Sequence, residues 1–367
     1  MHKIRFGVVL LTILLSACGS HAAHDWNRGA AAAYLDEREV KWSKWQPAAR
    51  DNQTVCVSCH TSLVYALARP RLEATLHETP ASPRQELLAN VQKRVRLWGQ
   101  IPPYYQDHVS TSRGTEAILN ALILTDEDAR QGHLAPDTLA ALDDMWALQK
   151  TAGPDAGGWP WLQTGNQPFE ATDADYFGAT LVALTVSRTP DEYRARPAVR
   201  DNLTRLRGYL LRDYPQQPLF NKIHLLWAAS QWPELVTPAM RDDVEAQIWS
   251  QQRDDGGWSL SSLILADWKR RDGASPSRSS DGYATGLIAL VLQDAGLPRS
   301  DARLSRGLSW LQDHQSTWNG RWTANSPNRS YGFLGQQRHF MDDTATAFAV
   351  LALTEAPAKP APLQARN

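Results

Sequence analysis

Two groups of residues in this chain have the types and spacing to do chemistry. The first is Cys56-Val57-Ser58-Cys59-His60, which places two thiols and an imidazole within a single turn. Cys-x-x-Cys-His is the attachment pattern of c-type haem: the cysteines hold the macrocycle covalently and the histidine ligates the iron. A local disulfide, a redox-active dithiol and half of a zinc site use the same atoms. The chain has 3 cysteines, so no second pair completes a zinc site, and no thioredoxin-like βαβ pattern surrounds this one. Haem c on Cys56 and Cys59, with His60 on the iron, is therefore the expectation. Met145, Met341, His108, His224 and His339 are candidates for a sixth ligand, and the sequence does not order them. The second group is acidic. Asp342 and Asp343 are adjacent, and Asp173, Asp175, Asp281 and Glu116 recur near the starts of apolar segments. Carboxylates in pairs are the tools of general acid–base work and of glycoside hydrolysis. Each alone also reads as a helix cap that satisfies free backbone N–H groups.

These groups need elements to hold them. The 367 residues are 43% hydrophobic and 21% charged with a net charge of -1. That is ample for a large core and gives no electrostatic reason to expect nucleic acid. Lys3 and Arg5 precede an apolar run from Phe6 to Leu15 that is too short to span a bilayer, followed by Leu15-Ser16-Ala17-Cys18. This start resembles the bacterial lipoprotein signal. The resemblance implies removal of residues 1–17, lipid on Cys18, and export to the outer membrane facing the periplasm, anchored by lipid only. A periplasmic redox partner would suit the haem motif.

From about residue 85 repeats dominate. Thr115–Leu122, Phe177–Leu184, Tyr283–Leu290 and Thr346–Leu353 are similar apolar helices whose final leucines stand 62, 106 and 63 residues apart. The segment 223–229 falls inside the long step. Such segments are apolar on nearly every face and must be buried on both sides. More polar helices over 138–150, 199–214, 238–252 and 300–314 alternate with them. The pattern describes an all-α double ring, an α/α toroid, with polar residues at one end of a central cavity. Trp227, Tyr283, Phe177, Tyr176 and Phe348 are expected to line that cavity. Earlier, a short helix is expected to end at Ala66-Leu67-Ala68-Arg69-Pro70, and another to run from Arg84 to Gly99.

The tryptophans attach a family to this ring. Arg306-Gly307-Leu308-Ser309-Trp310-Leu311, then Gln315, then Gly320-Arg321-Trp322 resembles the QW repeat of squalene–hopene and oxidosqualene cyclases. Gln252 with Gly256-Gly257-Trp258, and Gln149 with Gly157-Gly158-Trp159, are shorter matches. Arg207-Gly208-Tyr209-Leu210 begins a fourth that lacks its Gln and Trp. The Gln is expected to bond the next turn of backbone while the Trp packs across it. The resemblance implies a terpenoid cyclase/prenyltransferase toroid over residues 85–355. Residues 18–84 would then be a separate N-terminal segment and 356–367 a disordered tail. Class II cyclases protonate their substrate from Asp-x-Asp-Asp-Thr-Ala, and Phe340-Met341-Asp342-Asp343-Thr344-Ala345 is similar. This places Asp342 on the acid position and Asp343 on the last, with Phe340 where the first aspartate would be. The resemblance thus implies an apolar, isoprenoid-like ligand. Two other functions fit the same ring: a non-catalytic haem-bearing electron-transfer module, and a carbohydrate-active α/α toroid.

Overall fold

The computed structural model describes residues 25–172, 174–332 and 335–354. Cys18 with its leader, Asp173 and the tail 356–367 lie outside the described residues. Thirteen α-helices make up the described part: α1 (Arg28–Ser43), α2 (Ser62–Leu76), α3 (Ser82–Arg96), α4 (Val109–Gln131), α5 (Pro136–Ala147), α6 (Ala174–Ser187), the single turn α7 (Asp191–Arg194), α8 (Pro197–Asp213), α9 (Leu219–Ala229), α10 (Pro238–Ser250), α11 (Gly282–Asp294), α12 (Ala302–Asp313) and α13 (Phe340–Leu353). The strands among the described residues are two-residue pieces, Ala49–Arg50 and Thr54–Val55, paired antiparallel.

Six of these helices form an inner ring. α2, α4, α6, α9, α11 and α13 pack each on the next, and α13 returns to α2 to close the circle. Their sequences explain the placement. In α9 all eleven residues are buried, and in α13 every residue after Phe340 is. α1, α3, α5, α8, α10 and α12 pack outside, giving six hairpins. Several outer helices begin with proline in the first turn, where its missing N–H is not needed. Asn27, Thr237 and Asp301 cap α1, α10 and α12.

The QW residues make the bonds that tie hairpin to hairpin. Trp159, Trp258 and Trp322 are wholly buried and donate Nε1–H to Met145 O (2.7 Å), Ile248 O (2.8 Å) and Leu311 O (2.7 Å). Each partner glutamine donates twice. Gln149 reaches Gly157 O and Asn202 O, Gln252 reaches Gly256 O and Arg303 O, and Gln315 reaches Gly320 O and Asn27 O. The first carbonyl lies in the glutamine's own turn and the second at the following outer helix. At Gly157 φ is +99°, and a Cβ would sit 2.2 Å from Arg205 O, so only glycine allows α8 so close.

The same contact closes the ring. Gly320 (φ +73°) abuts Ala30 of α1, and Gln315 exchanges hydrogen bonds with the backbone of Asn27 in both directions. The stretch set apart from sequence as residues 18–84 therefore supplies one of the six hairpins, α1–α2, and the ring does not begin at residue 85. Its lack of a QW string hid it. α2 also runs on through Pro70 instead of ending there. Packing of this buried helix against α1 and α13 offsets the backbone bond that proline removes.

Candidate functional site

All loops that lead from an outer helix to an inner one lie at one end of the ring, the mouth. Three of them are stitched together. Asn328 exchanges hydrogen bonds with the backbone of Gln167 (2.8 and 2.7 Å), Arg271 donates to Thr164 O and Gly165 O, and Trp268 donates to Pro327 O. The loop before α6 inserts Phe169 into the ring. There it meets Phe177, Phe220 and Tyr283 with ring centroids 6.0 to 6.4 Å apart. His224, Trp227 and Phe348 continue the cluster, with Tyr283 stacked on Phe348 at 5.4 Å. Of the aromatics expected to line a central cavity, Phe177, Trp227, Tyr283 and Phe348 thus pack on one another and fill the ring's centre, whereas Tyr176 turns to the outer helix α8, where its OH donates to Leu210 O and its ring meets Tyr209.

The Cys-x-x-Cys-His turn belongs to the mouth too, because it joins α1 to α2. Ser58 Oγ accepts from the N–H groups of Thr61 and Ser62, so the motif itself caps α2. α3 clamps the strand before it. Asn90 pairs with both backbone groups of Val55 (2.8 and 2.9 Å), and Arg94 donates to Thr54 Oγ1. Trp42 Nε1 donates to Cys56 O at 2.7 Å. Cys56 and Cys59 are buried and not joined as a disulfide. Burial pushes the Cys56 thiol up to about 12 and the Cys59 thiol well above its usual range. A redox-active dithiol needs a lowered pKa, so these thiols have the wrong environment for that chemistry. Among the described residues no cluster of three or more His, Cys, Asp or Glu could hold a metal ion.

His60 lies against Phe340, ring on ring at 3.6 Å, with the edge of Trp42 at 5.1 Å. Burial, helped by the nearby Arg38 charge, lowers its pKa to about 3, so the imidazole is neutral. Its Nδ1 is 3.0 Å from Thr61 Oγ1, which donates to Asp343 Oδ2 at 2.8 Å. Asp343 Oδ1 accepts from Arg38 Nε (2.8 Å) and Tyr34 OH (2.9 Å). Burial raises the Asp343 carboxyl above its usual range, opposed by the Arg38 guanidinium and by the hydrogen bonds it accepts. Its two oxygens accept from three side-chain donors, one of them a guanidinium, and this arrangement favours the carboxylate. A neutral histidine and two free thiols on one rigid turn are the donor set that covalent haem requires. Beside Cys56, a groove of about 460 Å³ runs between Glu39, Ser62, Leu87 and Asn90, with Lys44 and Lys93 also in its lining.

The acidic candidates do not converge. Asp342 Oδ1 accepts from Ala324 N–H (3.1 Å) and Oδ2 faces Arg321 (3.3 Å), so both oxygens bind the loop before α13. Glu116 is wholly buried against Arg94 at 2.6 Å. Asp175 pairs with Lys150 and Gln163. Asp281 caps α11 through Ala284 N–H and also accepts from Leu260 N–H, and burial lifts its carboxyl to about 7. Trp227 donates to Asp294, and Tyr283 is sealed in the aromatic centre. Of the sixth-ligand candidates, His224 sits in that centre and its Nδ1–H donates to Phe220 O, whereas His108 is exposed. Sequence reading missed Tyr34, Arg38, Thr61 and Arg94. Each bonds a carboxylate 22 to 309 residues away, Asp343 for the first three and Glu116 for Arg94, and no local pattern marks those pairings.

No family model matches the chain. The squalene–hopene cyclase of Alicyclobacillus acidocaldarius subsp. acidocaldarius is 31% identical over 110 residues, 29% of this chain. The chain spans about 15% of the length of that relative. Among solved structures, an inactive variant of the α-1,6-mannanase GH76A of Salegentibacter sp. HEL1_6, in complex with α-1,6-mannotriose, is similar with a TM-score of 0.50 and 13% identity. That match covers 90% of this chain and 100% of the mannanase chain. Ring closure by six hairpins, the QW staples and these two likenesses agree: the chain is an α/α toroid.

Proposed function

We propose that this chain is an exported, lipid-anchored c-type haem protein whose toroid is the scaffold for the cofactor and passes electrons to a periplasmic partner. The observation that supports it is the environment of the motif. Two unpaired thiols and a neutral histidine share one clamped turn at the ring's mouth, and burial has removed the thiolate character that competing chemistries need. Cys56 and Cys59 would hold the group, His60 would ligate the iron, and Lys44 and Lys93 are the cations nearest the motif's groove. Haem held this way supplies one-electron chemistry. The test is export of the full chain in a host that matures c-type cytochromes. We expect Soret absorption and haem that stays on the polypeptide in denaturing mass spectrometry, both lost in a Cys56→Ala/Cys59→Ala variant. Colourless, haem-free protein from such a host would end the reading.

A second reading concerns what the mouth binds. Closed aromatic packing at the centre leaves the cyclase-type isoprenoid reading, with Asp342 as acid, little support. The likeness that spans the whole ring is to a mannanase. On that reading the mouth takes carbohydrate, and its polar surface, with Gln163, Thr164, Glu170 and Asp175, is the contact face. Incubation with α-1,6-linked manno-oligosaccharides, followed by reducing-end analysis and calorimetry, decides it. Neither cleavage nor heat of binding would remove it.

A further inference from the structure

We infer that Asp343, acting through Thr61, fixes His60 in the tautomer that carries its proton on Nδ1, and so leaves the Nε2 lone pair free for the iron. This rests on the haem reading above. The proton count along the chain of contacts forces it. Asp343 is an acceptor, so the Thr61 hydroxyl proton points to Asp343 Oδ2 at 2.8 Å. The oxygen of Thr61 can then only accept at its 3.0 Å contact with His60, and Nδ1 must be the donor.

Asp343 has the credentials of a fixed acceptor. It is 1% exposed and lies in the first turn of α13, where a carboxylate ordinarily caps backbone N–H groups. Its hydrogen bonds run instead to three side chains of the first hairpin: Tyr34 and Arg38 on Oδ1, Thr61 on Oδ2. Arg38 is itself held by Gln336 Oε1 at 2.8 Å. A second tie, from Thr344 Oγ1 to His60 O at 3.0 Å, sets the motif's backbone against the same helix. The aspartate that resembles the last of the cyclase acid motif thus supports a histidine from another hairpin. Metal-bound histidines commonly take such a carboxylate support, which orients the ring and makes it a stronger electron donor. Thr61 and Asp343 are positioning residues, not ligands.

The experiment has two arms. In the full-length Cys56→Ala/Cys59→Ala protein, which carries no haem, long-range ¹H–¹⁵N spectra of His60 should show Nδ1 protonated and Nε2 bare. Thr61→Val should convert this to a mixture or to the opposite tautomer, and Thr61→Ser should restore it. In haem-bearing protein, Thr61→Val should shift the reduction potential to more positive values with haem still attached and helicity unchanged, because the ligand loses donor strength. Again Thr61→Ser should return it. Nε2 protonated in the parent, or a Thr61→Val protein with unaltered tautomer, overturns the proposal. Should the parent fail to acquire haem, the haem reading fails alone, since the tautomer arm is read without it.

Discussion

The Phe340 ring lies flat on the His60 imidazole, 16° from parallel. Phe340 occupies the position that carries aspartate in the similar cyclase motif. An acid there would set a charge against a buried neutral ring, whereas an aromatic covers its face, and Trp42 closes the edge of both rings. Phe340→Ala is therefore expected to cost about 1–3 kcal/mol, less than a wholly buried phenylalanine because the side chain is partly exposed. Urea denaturation followed by circular dichroism measures it. An unchanged midpoint would mean that the stack contributes nothing.

The staples should be unequal in effect. Trp258→Ala removes a wholly buried indole and its bond to Ile248 O, with an expected loss of about 3–5 kcal/mol. Gln252→Ala leaves two carbonyls, Gly256 O and Arg303 O, without their donor, at about 1–2 kcal/mol. Gln315→Ala has a further consequence, because Gln315 holds the first hairpin to the last. Limited proteolysis of that variant should cut first before α1, while Gln252→Ala should not show this cleavage.

How far the sequence carried follows from which interactions are local. Inner helices were visible as segments without a polar face, and staples as Gln and Trp at fixed spacing, since both are written within some fifteen residues. The α1–α2 hairpin was not visible, because its tie to the ring is made by Gln315 and Gly320, nearly 290 residues away. The cavity failed as an expectation for a similar reason. Inward-facing aromatics read the same whether they line a space or fill it, and Phe169, which fills it, comes from a loop. Cys56, Cys59 and His60 were legible as a motif, but the support of His60 by Thr61 and Asp343 crosses 282 residues and has no local signature.

Glu116 shows what a buried acid does when it is not at a site. Its 2.6 Å bond to Arg94 is wholly shielded from water, and Arg94 also holds Thr54 before the Cys-x-x-Cys-His turn. Arg94→Met should strand the carboxylate and cost about 3–5 kcal/mol, whereas Arg94→Met with Glu116→Met should recover most of the loss. Chemical denaturation of the three proteins tests this. A double variant no better than Arg94→Met would show that the pair contributes more than charge compensation.

Stability should fall as pH rises from about 6.5 to 8, and Glu39 should account for most of the fall. Burial raises Glu39 from 4.5 to about 8 and Asp281 from 3.8 to about 7, so between those values the folded chain holds protons that the unfolded chain has lost. Each therefore destabilises the fold as pH climbs through its window, at roughly 1 kcal/mol per pH unit. In the haem-free chain His60 and His224 act in the opposite sense. Burial lowers them from 6.5 to about 3 and about 4, so the unfolded chain binds the extra protons and stability rises with pH up to 6.5. Below 6.5 the two rising contributions are opposed by the falling ones of Glu39, Asp281 and, up to about 6, Asp144. Above it the histidines are spent, Asp281 fades by 7, and Glu39, whose Oε2 has no hydrogen-bond partner, continues to 8. Urea midpoints taken from pH 5.5 to 8.5 should be nearly level and then decline from about 6.5 to 8. Glu39→Gln should flatten that decline and Asp281→Asn should trim only its start. A midpoint that climbs between pH 7 and 8, or a decline that persists in Glu39→Gln, would refute the assignment.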